Sequence, residues 1–255
     1  MFNKQKKKIM RYSERPQFVT VSRTPAGFHT TVNYGIEEIG EEFEASSVTL
    51  LTEERICADD YSALVSALIN NEYPADRMDA VRNNYMANQS DMEAADAFTE
   101  MQRWRGAAKV IAREALRFVM DNGLGDDNGF DALENTRALV MQKIENHDIS
   151  DAVNAFIING DKYWLTKPMR ESLVTSLDRF QKAGIDNFPF VLGSIQTQLP
   201  CNVLDGMITQ LEVYATQCMG VTTAHLMAAQ ALQTEEELTG YDYTTDYPPM
   251  LEYTL

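Results

Sequence analysis

The chain has 255 residues, of which 44% are hydrophobic, so it can form one large domain or two to three small ones around a buried core. No run approaches the roughly 18 apolar residues that a membrane-spanning helix needs, which argues against a membrane protein. The net charge is −16, from 22 basic and 38 acidic residues. Because nucleic acid is itself negative, we do not expect so acidic a protein to bind it.

Residues 1–16 have the opposite charge and predict a basic arm. Up to Arg15 there are six basic residues and one acidic residue, a charge of 6 − 1 = +5, so the remainder carries −16 − 5 = −21. No apolar segment follows, which predicts that this is not a secretory signal. We expect the folded part to begin after the arm, and its lysines Lys6, Lys7 and Lys8 are candidate contacts with a partner.

Residues 17–56 predict a three-stranded antiparallel meander. Apolar and polar residues alternate in 17–22 and 28–34, and a third β-rich run covers 42–51. The sequence Thr24-Pro-Ala-Gly27 predicts the first turn, since proline presets φ and glycine tolerates positive φ. Three strands are stable only if one face is covered by another element.

Residues 57–121 predict helices, because apolar residues recur three and four positions apart. The last of them, from Asp91 to about Met120, would be roughly 45 Å long at 1.5 Å per residue. A helix of that length usually packs on another long helix, within the chain or between subunits, which makes its Trp104 another candidate contact residue. Residues 122–130, rich in glycine, aspartate and asparagine, predict a linker; their spacing does not match a calcium-binding EF-hand loop.

Residues 131–255 predict a mostly helical C-terminal domain with short strands. The predicted elements are a helix over 131–146, a strand over 153–158 with a hairpin turn at Asn159-Gly160, a helix from Thr166 to near Gly184, a weak strand pattern over 188–198, and two helices separated by Gly220. The tail after residue 240 reads as extended and aromatic. The overall prediction is an α+β fold.

The sequence contains none of the usual catalytic or cofactor-binding motifs. Three histidines, His29, His147 and His225, lie far apart, and three cysteines form no CxxC pair. We therefore expect no catalytic site, no metal and no cofactor, and a chain that is not an enzyme. Cys201 and Cys218 lie among apolar neighbours and predict core residues, as in a protein from a reducing compartment.

The tail carries the remaining candidate contact residues, Tyr241, Tyr243, Tyr247 and Tyr253. Tyrosines of this kind form interfaces or stack on carbohydrate. They can equally fold the tail back onto its own domain. The sequence leaves both alternatives open.

Two segments of the C-terminal domain resemble a known family. The first contains Val153-Asn-Ala-Phe-Ile-Ile-Asn-Gly160, Trp164-Leu165 and Met169-Arg-Glu-Ser-Leu173. The second contains Leu211-Glu-Val-Tyr-Ala-Thr-Gln-Cys218, Thr222-Thr-Ala-His225, Ala231-Leu-Gln-Thr-Glu235, Tyr241-Asp-Tyr-Thr244, Tyr247-Pro248 and Leu251. In order and spacing they resemble a domain of unknown function that recurs in tailed bacteriophages and prophages, often in tail and tail-fibre regions.

The resemblance runs from Asp148 to Leu251, with one departure: residues 185–190 have phenylalanine where the family often has tryptophan. The family has no assigned catalytic residues. The resemblance implies a bacteriophage virion structural protein, a multi-copy subunit of the tail or head–tail region, made in the bacterial host cytoplasm and packed against other virion proteins and copies of itself. The alternatives are a tail-fibre assembly chaperone and an enzyme acting on carbohydrate or peptidoglycan.

Overall fold

The computed structural model describes residues 9–255, which form the predicted α+β fold. The strands are β1 (Ile9–Tyr12), β2 (Val19–Thr24), β3 (Gly27–Ile39), β4 (Glu42–Thr52), β5 (Phe156–Ile158), β6 (Asp161–Tyr163), β7 (Asn187–Leu192), β8 (Ile195–Pro200) and β9 (Glu252–Tyr253). The helices are α1 (Tyr61–Glu72), α2 (Ala75–Ala87), α3 (Met92–Asp121), α4 (Ala132–Asp148), α5 (Asp151–Asn154), α6 (Lys167–Lys182), α7 (Cys201–Ala231) and α8 (Glu235–Thr239).

The described chain divides into two compact units. The first comprises residues 9–78, 104–142 and 233–239, and the second comprises residues 79–103, 143–232 and 240–255. These bounds differ from the predicted domains, because α3 and α4 each contribute residues to both units. The predicted linker, 122–130, lies wholly inside the first unit.

The sheet of the first unit has four antiparallel strands in the order β1-β4-β3-β2. Three of them are the predicted meander. The fourth, β1, lies within the segment predicted as an arm, so the prediction that the sheet begins after residue 16 is wrong. Arg11 of β1 lies opposite Glu44 of β4, and its Nε donates to the Glu44 carboxylate at 2.9 Å. Four residues that include a charged side chain are too short a run to show a strand pattern.

The turn between β2 and β3 is the predicted one, with Thr24 paired to Gly27. Gly27 has a φ of +129°, and a Cβ atom there would lie 2.3 Å from the carbonyl oxygen of Thr52. Both the backbone conformation and the close approach of the chain after β4 therefore require glycine at this position.

One face of this sheet is covered by α1 and by the part of α3 that belongs to the first unit. The buried side chains include Val19, Val32 and Val48 from the strands, Leu64 and Leu68 from α1, and Ala108, Ala112, Ala115, Leu116 and Val119 from α3. The three alanines let the helix approach the sheet closely, which removes apolar surface from water on both sides.

The glycine-rich segment 122–130 ends α3, as predicted, but it is bound to the first unit. The Asp126 amide donates to the Ile56 carbonyl at 2.9 Å. A Cβ atom on Gly125 would lie 2.8 Å from the Val119 side chain and 2.9 Å from the Ile56 carbonyl oxygen. The segment is therefore packed: Gly125 allows the close contact, whereas Gly123 and Gly129, with φ of +64° and +76°, serve the turns.

The core of the second unit is built from α6, α7 and two hairpins. Phe156, Leu177, Phe190 and Leu204 are among its fully buried side chains. The pattern predicted over 188–198 is the β7–β8 hairpin, in which alternate side chains of β7 point into this core.

The predicted hairpin turn at Asn159-Gly160 is confirmed, since both residues have positive φ, 52° and 93°. The strand before it starts at Phe156 and is shorter than predicted. Ser150 caps the short helix α5 instead, and its hydroxyl oxygen accepts from the Ala152 amide at 3.2 Å.

A single helix, α7, runs through Gly220, so the predicted break there is wrong. Its stripe of buried residues includes Cys218 before the glycine and continues after it with Thr222 and His225, at helical spacing. A glycine inside a helix costs about 1 kcal/mol relative to alanine. Burial on both sides outweighs that cost here. His225 consequently lies in the last third of a 31-residue helix, not in the first turn of a new one.

Candidate functional site

The residues predicted to contact partners fall in different parts of the chain. Lys6, Lys7 and Lys8 lie outside the described residues. Trp104 belongs to the first unit and the four tail tyrosines to the second. The structure therefore provides positions for five of the eight.

Trp104, a candidate contact residue, is partly buried within the first unit. Its ring lies 5.4 Å from that of Tyr34, and its Nε1–H donates to the Leu68 carbonyl at 3.3 Å. The side chain is partly buried against the core of the sheet and α1. The sequence predicts that Trp104 lies on a long helix, but it does not show that this helix packs on the sheet.

The tyrosine-rich tail folds back onto the second unit, which is one of the two alternatives left by the sequence. The Tyr241 hydroxyl lies 2.7 Å from Nδ1 of His225. The Tyr247 hydroxyl lies 2.9 Å from the Thr222 hydroxyl. Both tail residues are thus bound to one turn of α7.

His225 is 5% exposed and uses both ring nitrogens on the tail. Its Nε2 lies 3.0 Å from the Thr245 carbonyl, which can only accept, so Nε2 carries the proton. In the neutral ring Nδ1 then accepts from the Tyr241 hydroxyl. The two bonds fix the orientation of the ring and connect α7 to two points of the tail.

Thr222, one turn before His225, forms a second set of hydrogen bonds that reaches the end of α4. Its hydroxyl donates to the Asp148 carboxylate at 2.7 Å. Since that donation uses its single hydrogen, the hydrogen between Thr222 and Tyr247 must come from Tyr247. The direction of donation therefore runs from Tyr247 through Thr222 to Asp148.

His147 packs beside this network. Its ring lies 5.1 Å from the Tyr247 ring and 5.9 Å from the Tyr243 ring, edge-on in both cases. Burial lowers the pKa of His147, the nearby His225 lowers it further, and Asp148 opposes the change. The lowered pKa favours the neutral form of the imidazole. We call His147, Asp148, Thr222, His225, Tyr241 and Tyr247 the tail cluster.

The end of the tail has a second attachment. Strand β9 pairs with β5 in parallel, and Ile158 lies opposite Tyr253. The Tyr253 ring packs on Phe156 at 6.1 Å, and its hydroxyl donates to the Met207 carbonyl at 3.4 Å. The tail is consequently held at both of its aromatic segments.

The chemistry available to the tail cluster is binding and packing. Hydrogen bonds join His225 to Tyr241 and the backbone, and Thr222 to Tyr247 and Asp148, whereas His147 contacts the cluster through its ring. Burial raises the pKa of the neighbouring Cys218 thiol, which disfavours its nucleophilic thiolate form. Across residues 9–255 no three histidine, cysteine or acidic side chains come together as a metal-binding group.

Two cavities bear on the enzyme alternative. A groove of about 550 Å³ in the first unit has Glu14 as the single carboxylate in its lining. A cavity of about 160 Å³ in the second unit is lined by residues such as Met92, Met169 and Phe190 and has no carboxylate. A glycoside hydrolase mostly uses two carboxylates flanking the bond that is broken. Neither cavity provides such a pair.

Sequence reasoning found the tail tyrosines and missed their partners. Thr222 and His225 are polar residues three positions apart in the apolar stripe of α7, a signal that they face a polar surface inside the protein. The predicted helix break at Gly220 concealed that signal. Burial of Cys201 and Cys218, at 4% and 3% exposure, confirms their prediction as core residues.

No protein-family model, curated protein or solved structure matches this chain. Within the described part of the chain, no helix has the length and apolar character needed to cross a bilayer.

Proposed function

We propose that this chain is a structural protein of a tailed bacteriophage, present in several copies in the tail or head–tail region and acting by packing against other virion proteins. The proposal rests on the resemblance of residues 148–251 to the phage-associated domain. It also makes the bacterial host cytoplasm the site of synthesis and the virion the final location.

The observation that carries the proposal is that the residues of the resemblance attach the tail to the second unit. Thr222, His225, Tyr241 and Tyr247 are separated by up to 25 residues, yet they form two hydrogen-bonded pairs that meet where the His225 and Tyr247 rings lie 5.7 Å apart. Their hydroxyl and imidazole groups hold the tail in place. A motif used in this way supports a role in building a defined shape rather than in converting a substrate.

The charge of the chain is compatible with such a role. A net charge of −16 keeps free subunits apart and soluble before assembly. Assembly then requires surfaces on which this repulsion is absent or is neutralised by a partner. In closed symmetric assemblies the same surface is used by every copy.

Quantitative mass spectrometry of purified particles, from the phage that encodes this sequence, tests the proposal. We expect the full chain in the particles at several copies per particle. A chain that is abundant in the infected cell but absent from the particles would refute the proposal. That result, combined with co-purification of the chain with fibre protein from the lysate, would instead indicate the assembly-chaperone alternative.

A further inference from the structure

Three asparagines of this chain are followed directly by glycine: Asn122, Asn128 and Asn159. An asparagine in this position loses its side-chain amide without an enzyme when the backbone nitrogen of the next residue attacks the side-chain carbonyl carbon. Glycine has no Cβ atom to hinder that approach, and its backbone rotates most freely. Asparagine is accordingly one of the heat-sensitive residues of proteins. The surroundings of each Asn-Gly pair in the folded chain decide how easily the two atoms meet.

The pair at Asn122 is held by the end of α3. The Asn122 Nδ2 donates to the Phe118 carbonyl at 2.7 Å. The Gly123 amide, which contains the attacking nitrogen, donates to the Met120 carbonyl at 3.0 Å. Both reacting groups are thus already hydrogen-bonded, and both bonds must break before the nitrogen can approach the side chain.

The pair at Asn159 is held by the tail of the second unit. The Asn159 amide donates to the Tyr253 carbonyl at 3.0 Å, and its Oδ1 accepts from the Leu255 amide at 3.0 Å. Asn159 and Gly160 also form the turn of the β5–β6 hairpin, with positive φ at both residues. The side chain of Asn159 can therefore turn towards the next nitrogen only after it has released the end of the tail.

The pair at Asn128 is held least. Asn128 and Gly129 are exposed and are the two central residues of a turn, which is closed by the Phe130 amide donating to the Asp127 carbonyl at 2.9 Å. The Asn128 amide donates to the Asp126 carboxylate at 3.0 Å, a bond that can persist while the backbone between Asn128 and Gly129 rotates. Within residues 9–255, neither the Asn128 side chain nor the Gly129 amide makes a hydrogen bond.

We propose that Asn128 is the preferred site of spontaneous deamidation in this chain. The Gly129 nitrogen attacks Cγ of Asn128, the new N–Cγ bond replaces the Cγ–Nδ2 bond, and ammonia leaves with the proton of the Gly129 amide. Water then opens the resulting cyclic imide at one or the other carbonyl, which gives aspartate or isoaspartate. Either product adds a carboxylate to a turn that already contains Asp126 and Asp127. The inference stands apart from the proposed function, since the reaction needs only water.

Timed incubation of the full chain at mildly alkaline pH, followed by peptide mass spectrometry, tests the proposal. Fragment spectra assign each amide-to-acid conversion to one asparagine, and labelling by an isoaspartyl methyltransferase reports the isoaspartate. We expect Asn128 to convert faster than Asn122 or Asn159 by about tenfold or more, because tenfold corresponds to about 1.4 kcal/mol, roughly one hydrogen bond that need not break. No conversion at Asn128, or conversion at Asn122 or Asn159 as fast as at Asn128, would overturn the proposal.

The same incubation in guanidinium chloride separates the effect of the fold from that of the dipeptide. In the unfolded chain all three sites are plain Asn-Gly pairs, so their rates should become similar. If Asn128 keeps its full advantage there, the fold is not the cause and the proposal is wrong.

Asn128→Gln is the matched variant, since the longer side chain must form a larger ring, which closes much more slowly. In the folded variant, position 128 should keep its amide, while Asn122 and Asn159 convert at the parental rates. Isoaspartate at the parental level in this variant would contradict the assignment to Asn128.

Discussion

Replacing Thr222 by valine removes a single hydroxyl from the centre of the tail cluster and leaves the shape of the side chain nearly unchanged. Thr222 is 6% exposed. Its hydroxyl donates to the Asp148 carboxylate at 2.7 Å and accepts from the Tyr247 hydroxyl at 2.9 Å. The substitution therefore breaks the two hydrogen bonds through which Thr222 connects the tail and α7 to the end of α4.

The expected loss follows from these two bonds. A hydrogen bond to a charged group contributes about 1.5–3 kcal/mol and a neutral one about 1 kcal/mol. Both partners are left without this group in a partly buried setting, so little of the loss is regained from water. We expect Thr222→Val to lower the free energy of unfolding of the second unit by about 2–4 kcal/mol.

Urea unfolding measures this loss, and limited chymotrypsin digestion shows where it occurs, because the tail is rich in tyrosine. The tail of Thr222→Val should be cleaved much faster than that of the parent. Thr175→Val is the matched control, since the Thr175 hydroxyl is exposed and bonds only the Glu171 carbonyl one turn earlier. If both variants lose the same stability and their tails are cleaved at the parental rate, the described role of the tail cluster is wrong.

Three further predictions concern single residues. Glu212→Gln should lower the free energy of unfolding, measured in urea, by about 1–2 kcal/mol, because the Arg170 side chain is only 12% exposed and loses its carboxylate partner at 2.7 Å. Glu171→Gln is the control and should have almost no effect, because both side chains of the Lys167–Glu171 pair are exposed. Gly27→Ala should lower the thermal midpoint far more than Gly40→Ala, since both glycines have positive φ but a Cβ atom clashes only at Gly27. The pKa of His147 is lowered in the folded chain, so the unfolded chain binds a proton at a higher pH than the folded chain does. The free energy of unfolding should therefore fall as the pH drops below about 6.5. Urea titrations at several pH values should show a smaller fall for His147→Gln than for the parent.

The secondary structure was predictable wherever it is determined by residues close together in the sequence. The three strands of the meander, the long helix α3 and the Asn159-Gly160 turn follow from local periodicity and turn chemistry. β1 was not predictable, because a short charged strand is defined by its partner β4. The continuity of α7 through Gly220 is likewise a tertiary effect, since burial on both sides of the glycine outweighs its low helix propensity.

The candidate site was predictable only in part. The tail tyrosines are visible as a cluster in the sequence, but Asp148 and Thr222 are ordinary residues until the fold brings them together over 74 positions. Trp104 stands out in the sequence, but its packing partner Tyr34 lies 70 positions earlier and could not be identified from the sequence. A single sequence shows which residues could contact a partner protein. It does not show which of them already contact other residues of the same chain.

The measurement that tests the proposed role most directly is a cryo-EM reconstruction of the purified particle. It reports the presence, the copy number and the neighbours of the chain together. We predict symmetry-related copies of the second unit, recognisable by the 31-residue helix α7, in the tail or head–tail region. A complete map in which all protein density of these regions belongs to other chains would contradict the proposed function.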